Sequence, residues 1–204
     1  MQNKWPTKKL GEVCYFQNGL WKGKKPPFKK VKVLRNTNFR NDGYLDLSNV
    51  AEIEVERKQF TNRLLQKGDL ILERSGGGPT QPVGRVVYFD ADGEFSFSNF
   101  TTRIRVKNHK DLYDKYLWRY LNYLYIFGVT ERMQKQTTGI RNLNFSEYKN
   151  LNIPLPPLSE QNKIVAYLDA LSQKFQELQK LQQQTAADFS ALRQSILAEV
   201  FNQK

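Results

Sequence analysis

The chain has 204 residues, 39% hydrophobic and 13% aromatic, with a formal net charge of +12. That suits one globular domain with a real core and a polyanionic partner such as nucleic acid. A lone cysteine, Cys14, excludes an internal disulfide and suits a reducing cytosol. No apolar run is long enough to cross a membrane and no signal peptide is seen, so no membrane association is expected.

The charge is unevenly placed. Residues 1–158 hold 27 Lys and Arg against 15 Asp and Glu, whereas residues 159–204 hold five of each. The first part is expected to touch phosphate and the second to touch protein; a merely soluble basic domain is the plainer alternative.

Trp5 to Gly11 reads as an entry segment before a short strand at Val13–Phe16. From Lys22 to Arg40 there are eight basic residues and no acidic one, and Gly19, Gly23, Pro26 and Pro27 make the first half a loop. Lys22, Lys24, Lys25 and Arg40 are candidate phosphate contacts around an exposed-looking Trp21; a solvated loop would have the same composition. Arg35, Asn36 and Asn38 follow a strand at Val31–Leu34 and are of the types that pair bidentately with guanine and adenine edges.

Asn41-Asp42-Gly43 marks a turn. The alternation at Val50–Val55 predicts a strand whose Glu52, Glu54 and Glu56 share one face, turned away from DNA. Asp69–Glu73 reads as a buried strand. Arg74-Ser-Gly-Gly-Gly-Pro-Thr-Gln81 lacks the Gly-Lys-Ser/Thr of a phosphate loop and leads into a strand at Gly84–Phe89, so it is read as a flexible hairpin tip. Arg74 and Gln81 would lie in a groove if that tip approaches DNA; hairpin slack with no ligand is the other reading.

Strands at Phe95–Phe97 and Thr101–Val106 follow. An aromatic helix opens at Asp111 and Asp114 and runs to about Phe127, with Tyr113, Leu117, Leu121 and Leu124 facing the core and Trp118 packing. A helical piece at Thr130–Gln136 precedes a polar loop, residues 137–142, that offers Arg141 and Asn142 as base readers. Asn144 and Glu147 form a capping box for a short helix. About seven strands followed by helices predict an α+β fold, with a mixed, mainly antiparallel twisted sheet.

From Ser159 onward there is no Gly or Pro, and a single helix about 60 Å long is expected, with Ser159 as its cap. Leu168, Phe175, Gln182, Phe189 and Ile196 at one heptad position and Ile164, Leu171, Leu178, Thr185 and Leu192 at the other give a coiled-coil seam. Apolar Val165, Tyr167, Leu181 and Ala186 widen the stripe beyond one partner's need. Antiparallel pairing of two copies sets Leu168 against Leu192 and Ile164 against Ile196, with Lys174 near Asp188. A parallel pair with Asp188 near Arg193 is equally drawn from the sequence, and folding of the rod onto its own domain is a third arrangement.

No catalytic constellation can be assembled. His109 is the only histidine and reads as a surface cap, one Cys and one His cannot build a zinc site, and no dinucleotide fingerprint is present. Asp69 and Glu73 fit strand alternation rather than a nuclease pair. No catalytic residue, metal or cofactor is therefore expected in this chain.

Several stretches together resemble the specificity subunit of type I restriction-modification systems: Lys9-Leu-Gly-Glu-Val, Lys67-Gly-Asp-Leu-Ile-Leu, Pro82-Val-Gly-Arg, Thr138-Gly-Ile-Arg-Asn-Leu and, above all, Ile153-Pro-Leu-Pro-Pro-Leu-Ser-Glu-Gln-Asn-Lys-Ile-Val. The resemblance implies a DNA target recognition domain, residues 1–157, and a spacer helix, residues 158–204, of a non-catalytic cytoplasmic subunit. It implies double-stranded DNA, modification (methyltransferase) subunits and a restriction subunit as partners. S-adenosylmethionine, ATP and Mg are implied on those partners. Members usually carry two recognition domains and two spacer helices; this chain shows one of each, which gives an antiparallel homodimer its purpose. A scaffold that no longer reads DNA is the alternative.

Overall fold

The computed structural model describes residues 5–78, 81–137 and 139–201, so Pro79 and Thr80 of the glycine loop and Thr138 lie outside the described residues. The chain forms two compact units, residues 1–162 and 163–204.

The first unit opens with β1 (Thr7–Lys9), the single turn α1 (Leu10–Val13) and β2 (Cys14–Asn18). After the basic loop come β3 (Phe28–Leu34), β4 (Ala51–Glu56), α2 (Arg57–Thr61), β5 (Leu70–Glu73) and β6 (Ser75–Gly77). Then follow β7 (Val86–Tyr88), β8 (Phe95–Phe97), β9 (Thr101–Val106) and α3 (Asp114–Ile126). The hairpin β10 (Gln134–Thr137) and β11 (Ile140–Leu143), α4 (Phe145–Lys149) and β12 (Asn152–Pro154) lead to α5 (Leu158–Phe201).

The architecture is the expected α+β, with a finer grain. The described residues contain twelve strands rather than seven, in small sheets of order β2-β9-β5-β7, β4-β3-β8, β10-β11-β6 and β1-β12. All strand pairs are antiparallel except β3 with β8. The alternation in β3 buries Val31 and Val33 while Lys30 and Lys32 face out, as a half-buried strand requires. Phe39, Ile71, Val87, Phe89 and Phe97 form the main apolar cluster, and Leu20, Val31, Val33, Val55 and Phe60 form a second one.

Three local expectations are corrected. The glycine loop is a hairpin tip only in part: Ser75–Gly77 is a strand, paired with β11, while Gly78 bridges Gln81 in antiparallel fashion. The segment Thr130–Gln136 is a short 3-10 turn, Val129–Met133, that passes straight into β10. The turn before α3 is closed by Asn108, whose Oδ1 accepts from the Lys110 N–H at 3.0 Å, not by His109.

Asn144 caps α4 as expected, its Oδ1 accepting from the Glu147 N–H. Trp118 packs, donating Nε1–H to the Val86 carbonyl at 3.2 Å. The long helix starts at Leu158, one residue before Ser159. The Pro157 carbonyl accepts from the Glu160 and Gln161 N–H groups, so Ser159 sits inside the first turn and is not the cap. Gln161 is fully buried; its Oε1 accepts from the Tyr113 N–H, and its Nε2 donates to the Asp111 and Pro156 carbonyls, each at 2.8 Å. The Gln of the Pro-rich block is thus a clamp on the start of α3.

In the second unit α5 is continuous, 44 residues in all and about 66 Å by the rise of an α-helix. Leu171, Phe175, Leu178, Phe189, Leu192 and Ile196 are 44–68% exposed; Ile164 and Leu168 are half-buried. Thr185, a polar interruption of the seam, bonds its hydroxyl to the Leu181 carbonyl at 2.9 Å. The hydroxyl is satisfied inside the helix and needs no polar partner across a seam.

Candidate nucleic-acid interface

The site rests on a buried charged frame. At the two ends of the β5 stretch, Asp69 and Glu73 are each 1% exposed. Arg105 grips Asp69 through two bonds of 2.6 and 2.7 Å, and Arg85 grips Glu73 through two of 2.8 Å. Bidentate pairs of this kind satisfy the buried carboxylate charges. Arg85 also donates to the Phe39 carbonyl at 2.9 Å and the Asn36 carbonyl at 3.3 Å. It therefore holds the 36–39 turn from beneath.

Above this frame three segments meet. The Asn36 Nδ2 donates to the Ser75 carbonyl at 2.7 Å, and the Ser75 hydroxyl donates to Asn142 Oδ1 at 2.5 Å. β6 pairs with β11 so that Ser75 opposes Asn142 and Gly77 opposes Arg141, with an irregularity between. The turn after β3, the glycine segment and the β10–β11 hairpin are thereby tied into one surface.

Beside that surface lies a hollow of about 450 Å³. Its floor is apolar, made by Leu20, Val33, Ile53 and Val55, and Trp21 and Phe100 line it, 65% and 48% exposed. Lys22, Arg35, Asn36 and Ser98 are among the other lining residues. The close approach that shapes it depends on Gly19: a Cβ there would stand 1.8 Å from the Ser98 carbonyl oxygen.

The candidate residues fall into three groups. Lys22, Lys24, Lys25 and Arg35 are exposed, and no ion-pair partner stands beside them among the described residues. Gly23 between the lysines has φ 75°, and a Cβ would collide with Glu56, so the loop turns there only because glycine can. Asn36, Gln81, Arg141 and Asn142 lie in or beside the three-segment surface, and Asn36, Arg141 and Asn142 are half-buried. The Gln81 amide, assigned by the bonds it can make, turns its oxygen to Arg85 at 3.0 and 3.1 Å.

Asn38, Arg74 and Arg40 are corrections of differing weight. Asn38 is 3% exposed; its Oδ1 accepts from the Arg35 N–H and its Nδ2 donates to the Asp46 and Asn49 carbonyls, each at 3.0 Å. Both ends of the amide are used, so it shapes the loop and has nothing left for a base edge. Arg74 donates to Asn18 Oδ1 at 2.6 Å and lies 4.5 Å over the Phe145 ring, with burial pushing its pKa down. It is a strut between elements rather than a free reader. Arg40 is exposed but pairs with Asp46, so its charge is partly met within the chain.

Other cations of the basic stretch are matched too. Lys29 pairs with Glu94 at 2.6 Å and Lys30 with Glu52 at 2.8 Å. The acidic residues of β4 stand opposite the lysines of β3, Lys30 against Glu54 and Lys32 against Glu52, so they discharge their neighbour strand. Sequence reasoning passed over Arg85, Ser75, Phe100 and Gln161. An Arg inside a buried strand run and a Gln in a Pro-rich block were the available signals.

Among the described residues no group of three or more His, Cys, Asp or Glu is placed to hold a metal ion, and no helix is long and apolar enough to cross a membrane.

The family described as type I restriction modification DNA specificity domain matches residues 2–186. The type I restriction enzyme StySPI specificity subunit of Salmonella potsdam is 25% identical over 203 residues, covering 97% of this chain and 42% of that protein. Among solved structures, a chain from a type I R-M system described for its complex assembly and conformational transition has a TM-score of 0.68 at 24% identity, over 98% of this chain and 46% of that one. The HsdS subunit from Thermoanaerobacter tengcongensis has a TM-score of 0.59 at 23% identity, over 100% and 46%. The chain thus spans less than half the length of these relatives.

Proposed function

We propose, from the premise that the chain belongs to the type I restriction-modification DNA specificity family, that its first unit reads a short double-stranded DNA sequence. The carrying observation is the bonded junction of Asn36, Ser75 and Asn142. It brings polar side chains from three segments together, beside Lys22 and Arg35 of the hollow, with Lys24 and Lys25 exposed in the same basic loop as Lys22 and none of the four ion-paired among the described residues. Phosphate contacts by those cations supply affinity and register, and side chains of the junction supply discrimination between bases.

The second unit serves as the spacer. Two copies joined antiparallel through α5 put one reading unit at each end of a shared rod. Twofold symmetry then implies an inverted-repeat site with an unread middle. With overlap of the helices the half-sites fall one to two helical turns apart, each about 34–36 Å. The chain itself does no chemistry in this reading: modification subunits carrying S-adenosylmethionine methylate adenine, and a restriction subunit using ATP and Mg cleaves, both directed by it in the cytoplasm.

The test is selection from random DNA fragments by the full chain assembled with its modification subunits, followed by mapping of methylated adenines. One enriched symmetric motif with methylation at fixed positions is expected. Featureless binding would instead fit a scaffold that no longer reads DNA.

A further inference from the structure

We propose that the hollow beside Trp21 takes one nucleotide turned out of the bound duplex. The inference rests on the DNA-reading function above and adds to it a site for an unstacked base.

Three observations lead there. The hollow, about 450 Å³, lies within the roughly 300–1,000 Å³ of small-ligand sites. Its aromatic side chains, Trp21 and Phe100, are exposed beside an apolar floor. Exposed aromatic rings beside Lys22 and Arg35 are what a base and its phosphate require: a π-face to stack on and a cation for the backbone.

The third observation is polar. Ser98 is 8% exposed and its hydroxyl has no hydrogen-bond partner among the described residues; the same holds for Asn36 Oδ1. The fold uses the rest of both residues. Ser98 donates its N–H to the Leu34 carbonyl at 2.9 Å and accepts at its own carbonyl from the Thr101 N–H and hydroxyl. Asn36 gives its Nδ2 to Ser75. Two unsatisfied buried polar atoms in the lining of one apolar hollow call for a partner. A purely apolar guest leaves both unmet, whereas a nucleobase carries donors and acceptors on its edge. Since Asn36 Oδ1 is an acceptor, a base with an exocyclic amine, adenine, cytosine or guanine, can meet it.

The experiment compares the full chain on a duplex with one central unpaired adenosine and on the same duplex fully paired, by fluorescence anisotropy. A second pair carries 2-aminopurine at the unpaired position. The bulged duplex should bind about tenfold or more tighter, from one added stacking contact, and 2-aminopurine emission should be quenched on binding. Trp21→Ala with Phe100→Ala should abolish the gap and the quenching; Trp21→Tyr should keep the gap. Ser98→Ala should narrow it with no change in the unfolding midpoint. Equal affinity for the two duplexes, or a gap that survives the double substitution, overturns the proposal. So does loss of quenching on adding equimolar free deoxyadenosine monophosphate, which would make this a mononucleotide site. Failure to bind either duplex overturns the DNA reading and this proposal with it.

Discussion

The Ser75 hydroxyl donates to Asn142 Oδ1 at 2.5 Å, while the Ser75 carbonyl accepts from Asn36 at 2.7 Å. One small residue thus mediates between side chains more than a hundred positions apart in sequence. If the three segments read DNA as a unit, changes at their ends are not independent. Asn36→Ala and Asn142→Ala, alone and together, are expected to show a coupling of at least about 0.5 kcal/mol in DNA affinity. A double-mutant cycle by titration measures it, and strict additivity would separate the segments.

Asn38 is expected to act on stability instead. Its amide makes three hydrogen bonds, to Arg35, Asp46 and Asn49, and is almost wholly buried. Asn38→Ala leaves a buried N–H and two carbonyls short of partners, at a cost of about 2–4 kcal/mol. Urea unfolding should show the lower midpoint. The sequence preference of the folded fraction should not change; a changed preference would return Asn38 to the readers.

Asn36 and Asn38 look alike in sequence, two residues apart in one polar run, yet one joins the three-segment surface and the other is interior. Composition cannot tell them apart, because burial of Asn38 is set by Asp46 and Asn49 folding back over it. The glycine segment was misjudged for a related reason. Ser75–Gly77 has almost no side chains, so it shows no alternation, and its partner β11 lies 65 positions further on. Strands carrying period-two patterns, such as Val31–Leu34 and Thr101–Val106, were legible, as was the heptad pattern of α5. The hollow was legible only at Trp21, since its floor comes from β3, β4 and Leu20 and its far side from the Asn99-Phe100 turn.

Lys24 and Lys30 are both exposed lysines of the basic stretch, and they differ in pairing. Lys24 is exposed with no ion pair among the described residues; Lys30 lies 2.8 Å from Glu52. Lys24→Ala should weaken all DNA sequences about equally and lower the slope of log affinity against log salt by about one. Lys30→Ala should change that slope much less. Equal effects would mean that the β4 carboxylates release their lysines on binding.

Asp46 carries a pH prediction. Hydrogen bonds from the Ser48 hydroxyl and N–H, and then from Arg40, hold its carboxyl down to about 2, against an ordinary 3.8. A depressed carboxylate contributes stability that is fully present above its unfolded value and is lost as pH falls through the folded one. Asp46→Asn should therefore flatten the stability profile between about pH 4 and pH 2. The same change releases Arg40 and should raise affinity for any DNA at low salt. Unaltered affinity would show that Arg40 does not reach phosphate.

The helix makes the sharpest prediction about assembly. Leu171 and Leu192 are 44% and 56% exposed on α5, and antiparallel pairing of two copies brings each into the same apolar seam. Leu171→Asp together with Leu192→Asp places four carboxylates per dimer in that seam, where charge is costly to bury. Sedimentation should report a monomer, while circular dichroism of the first unit and its affinity for single half-sites stay unchanged. Affinity for a symmetric two-half-site duplex should fall to that for one half-site, because the second contact is no longer intramolecular. An intact dimer in the double variant would remove the seam from the assembly and leave the helix to other partners.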